Sequence, residues 1–513
     1  MDKKTLMAAM LPFAGLAAAA ATDQRPNIIL FMVDDMGWQD TSLPFWTQRT
    51  PLNERYHTPN MERLAQMGVK FTQAYASSIS SPSRCSLMTG TNQARHRVTN
   101  WTLTYNRTTD HADDVVDLPQ WNVNGIQPVG GIERSFYATP FVQLLRQSGY
   151  HTIHCGKAHF GATQTPGADP TAFGFNVNIA GHAGGAPASY YGTARFGHDA
   201  NGKPTSAFST PGLEAYWDKD IFLTEALTQE AIKTLEQSRS LDKPFFLYMA
   251  HYAVHIPIQK DMRFYQKYKD RGLSDTEAAY SSLVEGMDKS LGDLMDYLDR
   301  TGQMDNTIII FMSDNGGLAA SSRTAPLGVQ NAPLRSGKGS AYEGGVREPM
   351  MVYWKGVAQP GTTQDKYVII EDFFPTILEM AQVTDYTTVQ PIDGKSFVPL
   401  LTGTADPSEG RALYWNTPNK WIGGDHRSEG IGQTCAIRQG DYKMVYWYID
   451  GKKELYNLAE DIAESHDLAA DSPDIVHQLS RQLADYLRSV NAQRPTFKAT
   501  GEPCPWPDEI NAE

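Results

Sequence analysis

Asn27-Ile28-Ile29-Leu30-Phe31-Met32-Val33 is an unbroken apolar run, β-rich in character, that stops abruptly at Asp34-Asp35. A run apolar on both faces suits a strand buried between two helix layers, which means a mainly parallel sheet. Phe245–Ala250 and Thr307–Met312 have the same form, and Met350–Tyr353 is a shorter version of it. Helical periods lie between these runs. Ser274 and Glu277 have capping-box spacing, and Tyr280, Val284, Met287, Leu291, Leu294 and Leu298 then form one apolar stripe. Helices near Thr224–Glu236 and Thr139–Gln147 precede the Phe245 run and a strand over His151–Cys155. Strand and helix alternating in this way define an α/β fold.

The pattern changes after residue 403, where Gly403-Thr-Ala-Asp-Pro-Ser-Glu-Gly410 is a polar, breaker-rich linker. Strands follow at Ala412–Trp415, Thr434–Arg438 and Tyr442–Tyr448. A last helix starts at Ser472-Pro473, with serine as N-cap, proline at the first position and a stripe of Val476, Leu479, Leu483 and Leu487. The expected organisation is a catalytic α/β domain over 22–403 and a smaller α+β unit over 404–513, antiparallel sheet plus helix. Ahead of both, Lys3-Lys4 and the apolar run Leu6–Ala21 read as a secretory signal over residues 1–21, short of the roughly 20 apolar residues that span a bilayer. The expectation is an exported, soluble chain.

With 45 Lys+Arg against 58 Asp+Glu (net −13) and 41% hydrophobic residues in 513, the chain is neither disordered nor coiled-coil. Its acidity argues against nucleic acid or anionic membrane as the general partner. Four cysteines (Cys85, Cys155, Cys435, Cys504) are too few for a disulfide framework. Cys85 and Cys155 read as buried thiols, and Cys435 with Cys504 is the one pair considered for a bridge.

Ligand sites in open α/β sheets form outside the carboxyl ends of strands. Asp34-Asp35 and Ser313-Asp314-Asn315-Gly316-Gly317 both follow such strands, so four hard oxygen-bearing side chains can converge. That set suits Ca²⁺ or Mg²⁺ better than zinc; each motif alone is equally well a helix cap or a turn. Ser80-Ser81-Pro82-Ser83-Arg84-Cys85-Ser86-Leu87-Met88-Thr89-Gly90 reads as a loop feeding a helix, with Ser81 as cap and Pro82 in the first turn. Such an N-terminus takes anions, and the Arg84 fork matches sulfate or phosphate oxygens.

Those eleven residues resemble the signature of type I sulfatases, Cys/Ser-x-Pro-Ser-Arg followed by Thr-Gly. The resemblance spans nearly the whole mature chain. Gly156-Lys157-Ala158-His159-Phe160-Gly161, the His255-Ile-Pro257 element, the loop Leu334 to Arg347 with Lys338, and Arg438-Gln-Gly-Asp441-Tyr442-Lys443 all look like family segments. It implies an alkaline-phosphatase-like fold and conversion of Ser80 to formylglycine, in the serine form matured by a radical, oxygen-independent enzyme. It also implies one cation, Ca²⁺ or Mg²⁺, held by Asp34, Asp35, Asp314, Asn315 and residue 80, binding a sulfate oxygen and activating the hydrated aldehyde. Arg84, Lys157 and Lys338 would neutralise sulfate oxygens, His255 would protonate the leaving oxygen, and His159 would orient or deprotonate the hydrate. His251 reads as structural.

The implied substrate is a sulfated glycan, taken at a terminal sugar, with galactose or N-acetylgalactosamine as the first guess and a bacterial periplasm as the setting. Trp101, His182 in Gly181-His-Ala-Gly-Gly185, and Arg347 are the sugar contacts expected, although each is equally well a packing or turn residue. The competing readings are a phosphatase or phosphonate monoester hydrolase of the same superfamily, and an inactive glycan-binding homologue.

Overall fold

The Asn27–Val33 run forms the centre of the sheet in the computed structural model, which describes residues 25–319, 323 and 330–510. It pairs in parallel with Phe245–Ala250 on one side and Thr307–Ser313 on the other. Ile28, Leu30 and Met32 enter the core on one face, while Ile29, Phe31 and Val33 enter the core on the other. The unbroken apolar run is thus two alternating faces, each covered.

Nine strands make this sheet. From one edge the order is Thr362–Gln364, Val69–Tyr75, Arg347–Tyr353, Thr307–Ser313, Asn27–Val33, Phe245–Ala250, His151–Gly156 and Val177–Ile179, with Val368–Ile369 also on Val69–Tyr75. Every pairing is parallel except the two made by Arg347–Tyr353, which runs antiparallel to both neighbours. The sheet is mainly parallel, as read, with Arg347–Tyr353 as its antiparallel strand. Burial on both faces follows from the layers above and below, not from strand direction. The chain leaves Ser313 and re-enters the sheet from the same end, through the short helix Glu343–Val346. The register slips between Glu348 and Met350, at Pro349, which has no N–H to give.

Helix Asp275–Arg300 is capped by Ser274, whose hydroxyl accepts the Glu277 N–H at 3.2 Å, while the Glu277 carboxylate receives Arg55. Its predicted stripe is buried against the sheet. The smaller sheet orders Ala412–Thr417, Thr434–Gln439, Tyr442–Trp447 and Lys453–Asn457, all antiparallel. Helix Pro473–Ser489 buries Val476, Leu479, Leu483 and Leu487 on one face of it. On the other face, Leu413, Trp415, Ala436 and Val445 continue the main core.

One cap assignment changes. The signature helix runs Ser80–Thr89 with Ile79 as its N-cap, so Ser81 lies inside the first turn, its hydroxyl accepting the Thr102 N–H at 3.1 Å. Ser472 is the N-cap residue of the last helix, with Pro473 in its first turn as read, although its side chain makes no cap hydrogen bond. All four cysteines are free and buried, and Cys435 and Cys504 pack unbridged in one apolar cluster as small apolar side chains. The signal over residues 1–21 lies outside the described residues. Among the described residues, no helix is long and apolar enough to cross a membrane.

Candidate active site

Parallel neighbours end at the same edge, so the residues just after Val33, Ala250 and Ser313 meet there. The Asp34 carbonyl accepts the Val254 N–H and the Val33 carbonyl accepts the Asp314 N–H, fixing the three strand ends together. Asp35 takes φ +60°, a left-handed conformation that aspartate tolerates better than most residues. Its carboxylate accepts Asn315 Nδ2 at 2.8 Å, and its N–H is donated to Asp314 Oδ1 at 3.3 Å.

Ser80, at the first turn of its helix, points into this corner. Its hydroxyl lies 3.1 Å from Asp34 Oδ1 and 3.0 Å from Asn315 Oδ1, and it accepts from Lys157 Nζ at 3.0 Å. Lys157 also binds both Asp34 oxygens, at 2.7 and 2.8 Å. Arg84, one helical turn on, donates Nε to Asp314 at 2.8 Å and Nη1 to the Lys157 carbonyl and the Tyr248 hydroxyl at 3.0 and 3.2 Å. Its Nη2 has no hydrogen-bond partner although fully buried. Lys338 reaches Asp35 at 2.8 Å and His255 Nε2 lies 3.6 Å from it. His159 Nε2 donates to the Thr102 carbonyl at 2.9 Å, leaving Nδ1 unpartnered. Gly185 backs that ring, where a Cβ would come within 2.3 Å.

Burial dominates the electrostatics. It lifts the Asp34 carboxyl to about 8, opposed by Lys157 and reinforced by Asp314 and Asp35. Burial acts the same way on Asp35 and Asp314. Lys338 and His255 nevertheless hold Asp35 below the usual carboxylate range, and Arg84 and Lys157 do so for Asp314. Burial, then the Lys338 charge, pushes His255 down to about 3. These residues fit a hard divalent cation. Asp34, Asp35 and His255 offer ligand atoms within 4.8 Å of one another, and Asn315 Oδ1 and Asp34 Oδ1 both turn to Ser80. A carboxyl held near 8 by desolvation is one that added positive charge would ionise.

Above Ser80 opens a cavity of about 720 Å³. Trp101, Lys157, His159, His255 and Lys338 line it. The other two sugar contacts do not. The Arg347 guanidinium lies on the Trp38 ring, 4.5 Å from its centroid, and donates to the Thr72 carbonyl and to Glu343. Strand pairing turns it into the core. The half-buried His182 ring accepts the Gly184 N–H at its own loop, and only the His182 carbonyl meets the site, accepting the His159 N–H at 3.3 Å. His251 is structural, its Nε2 2.8 Å from Ser290 Oγ and its ring against Phe31. Sequence reasoning missed Tyr248, Phe208, Leu318 and Trp421. Only Trp421, an aromatic inside the breaker-rich Pro418–Gly424 segment, carried a signal that could have found it.

A hydroxyl at a buried cationic and carboxylate corner, under an open cavity, defines an ester hydrolase that handles anions. The sulfatase family model matches residues 26–383, and the model described as N-sulphoglucosamine sulphohydrolase, C-terminal, matches 337–493. The chain belongs to the sulfatase family and is a sulfuric ester hydrolase. A sulfatase of Formosa agariphila is 29% identical, covering 94% of this chain and 93% of that one. The N-acetylgalactosamine-6-sulfatase of Canis lupus familiaris is 30% identical over 85% of this chain and 74% of its own. Among solved structures, Ps i-CgsB in complex with k-i-k-neocarrahexaose superposes with TM-score 0.70 at 25% identity, covering 90% and 93% of the two chains. The phosphonate monoester hydrolase of Agrobacterium radiobacter, at 20% identity and TM-score 0.57, covers 91% of this chain and 95% of its own and shares the fold. The fold is alkaline-phosphatase-like.

Proposed function

We propose that this enzyme is an exported carbohydrate sulfatase that removes a sulfate ester from a terminal sugar of a sulfated glycan. Galactose or N-acetylgalactosamine is the sugar proposed. The observation that carries the reading is the Ser80 hydroxyl, within 3.1 Å of Asp34, Asn315 and Lys157 beneath the cavity. Likeness to N-acetylgalactosamine-6-sulfatases and to a structure in complex with a neocarrahexaose supports the substrate class. The proposed organisation is a catalytic unit to about residue 403 and a C-terminal unit beyond it, acting in a periplasm.

Ser80 is proposed to be oxidised to formylglycine by a radical maturation enzyme. The hydrated aldehyde supplies one hydroxyl to attack sulfur and a second whose deprotonation releases sulfate. One Ca²⁺, or Mg²⁺, held by Asp34, Asp35, Asp314, Asn315 and residue 80, would supply positive charge to a sulfate oxygen and acidify the nucleophile. The protein's own groups do the rest. Arg84 Nη2, buried and unpartnered, and Lys157 Nζ are donors for sulfate oxygens. Lys338 adds charge beside Asp35. His255 delivers a proton to the leaving sugar oxygen; held at about 3 beforehand, it needs the bound sulfate's negative charge to raise it. The unpartnered His159 Nδ1 is the acceptor for a hydrate proton.

Mass spectrometry of the Ser80 peptide from the native source tests this reading, with loss of two hydrogens expected. An intact serine in active protein would contradict it. Release of phosphate faster than sulfate from matched esters would move the enzyme to the phosphatase side of the superfamily. The single cation's worth of ligands favours the sulfatase.

A further inference from the structure

Two loops from distant parts of the chain bring tryptophans to the cavity. Trp101 follows the Ser80 helix, and Trp421 lies between the first two strands of the C-terminal sheet. Gly339 packs directly on the Trp421 indole, where a Cβ would come within 2.2 Å of the ring. Trp421 is thus seated beside Lys338, whose Nζ is 5.9 Å from the ring centroid.

One carboxylate ties the two loops together. Asp110 accepts hydrogen bonds from Asn100 Nδ2 at 2.7 Å, Asn419 Nδ2 at 3.0 Å and Trp121 Nε1 at 2.9 Å. Its neighbours reinforce the link: Thr109 Oγ1 donates to the Trp101 carbonyl at 2.6 Å, and the His111 N–H donates to the Lys420 carbonyl at 3.0 Å. Residues 109–111 therefore hold the chain next to both tryptophans.

The charge on this cavity is as informative as its rings. Among the described residues, Lys157 and Lys338 are its only lysines or arginines, and each already sits on a carboxylate. Lys420 faces a neighbouring hollow and lies 3.2 Å from Asp113. Away from Ser80 the lining is Phe208, Leu318, Ile422, small apolar residues and two neutral hydroxyl side chains, Thr205 and Ser206. A second anionic group bound there would lose its water and meet neutral hydroxyls at most, with no uncommitted lysine or arginine to balance its charge.

We infer that Trp101 and Trp421 are specificity residues that stack on an uncharged sugar bearing a single sulfate, and that Asp110 is the positioning residue that sets them. This rests on the carbohydrate-sulfatase reading and names its substrate class more narrowly. An indole face takes the apolar C–H face of a sugar ring, and a pocket without an uncommitted cation rejects a uronate or a disulfated sugar.

The test is calorimetric titration of protein retaining Ser80, in calcium buffer. The probes are monosulfated galactose and N-acetylgalactosamine, each paired with its disulfated form, and a sulfated uronate. The best monosulfated neutral sugar should bind at least tenfold more tightly than either charged counterpart. Trp421→Ala should weaken it at least tenfold and Trp421→Phe by under threefold. In matured enzyme, Asp110→Ala should raise KM at least fivefold and change kcat by less than twofold, a split that a merely structural lesion would not give. Equal affinity for the doubly charged sugars would overturn the inference, as would parent-like binding by both Trp101→Ala and Trp421→Ala. Should Trp421→Ala not fold, Trp101→Ala and the parent's own charge discrimination still decide. Failure of matured enzyme to cleave any sulfate ester would instead remove the carbohydrate-sulfatase reading, leaving the binding selectivity as a separate result.

Discussion

A proton donor matters in proportion to how badly the leaving group needs one. If His255 protonates the departing oxygen, His255→Ala should lower kcat on a sugar sulfate by roughly 10²- to 10⁴-fold. On nitrophenyl sulfate, whose phenolate leaves unaided, the loss should stay under about tenfold on the same reasoning. Steady-state rates on the two esters check it, and equal losses would take His255 out of the acid role. Arg84 makes a different kind of demand. Its planar fork reaches Asp314, the Lys157 carbonyl and Tyr248 at once, which a lysine ammonium on a flexible stem cannot do. Arg84→Lys should cost about 3 kcal/mol or more, as for a broken buried ion pair, and sulfate turnover should fall at least about a hundredfold. Thermal melts with activity assays would show it, and a parent-like melt and rate would refute it. At this scale the residues that gather around Ser80 were legible because strand ends and the Ser80 segment concentrate them. The rest of the cavity lining was legible only at Trp101. An aromatic or arginine in a loop reads the same whether it faces a ligand or the core, and so Trp421 was overlooked and Arg347 misassigned.

Helices and strands were legible where burial imposes a period, and poorly where partners come from elsewhere. The Tyr280–Leu298 stripe and the Asn27 run read directly, because each residue's face follows from its spacing. The reversed strand Arg347–Tyr353 did not, since a doubly buried strand carries the same apolar run in either direction. Helix Pro59–Met67 shows why caps are harder still. Thr58 makes no side-chain cap, and Pro59 has no N–H. Its free N–H groups are met from 227 and 228 residues away: Asp288 accepts the Met61 and Asn60 N–H groups at 2.8 and 3.1 Å, with Asn60 Nδ2 at 2.9 Å. Asp288 is at once a cap and a clamp between two helices. Asp288→Ala should cost about 2–3 kcal/mol, one cap plus the orphaned donors, and Asp288→Asn about half of that. Denaturant unfolding of the three proteins would measure it. A midpoint unchanged in the alanine variant would mean that water satisfies those donors equally well.

Nothing in the local sequence announces how the two sheets are locked together. Lys443, fully buried on the C-terminal sheet, lies 2.9 Å from Glu343 at the entrance to the large sheet and 3.0 Å from Glu464. Tyr75 and Arg347 donate to Glu343 as well, at 2.7 and 3.2 Å. Two fully buried carboxylates thus share one ammonium. Burial, opposed by Lys443 and reinforced by Glu343, lifts Glu464 to about 7, whereas Lys443 and Arg347 outweigh burial at Glu343 and hold it at about 2. The consequences for stability have opposite signs. Glu464, raised above its unfolded value of 4.5, contributes fully below that pH, and its contribution is lost as pH rises through about 7. Glu343 contributes above 4.5, and its part is lost only as pH falls towards 2. Between pH 5 and 8, then, Glu464 alone should cost the parent up to about 3 kcal/mol. Glu464→Gln cannot ionise, so its melting temperature relative to the parent should climb across that window. A difference that stays constant would show that Glu464 is already ionised at pH 5. Lys443→Met sharpens the argument from the other side. With the ammonium gone Glu464 loses its cation and Glu343 keeps only Arg347 and Tyr75, which should cost about 3–5 kcal/mol at pH 8 and clearly less at pH 5, where a proton can take its place. If the loss were the same at both values, the lock between the sheets would be packing, and the buried charges would be incidental to it.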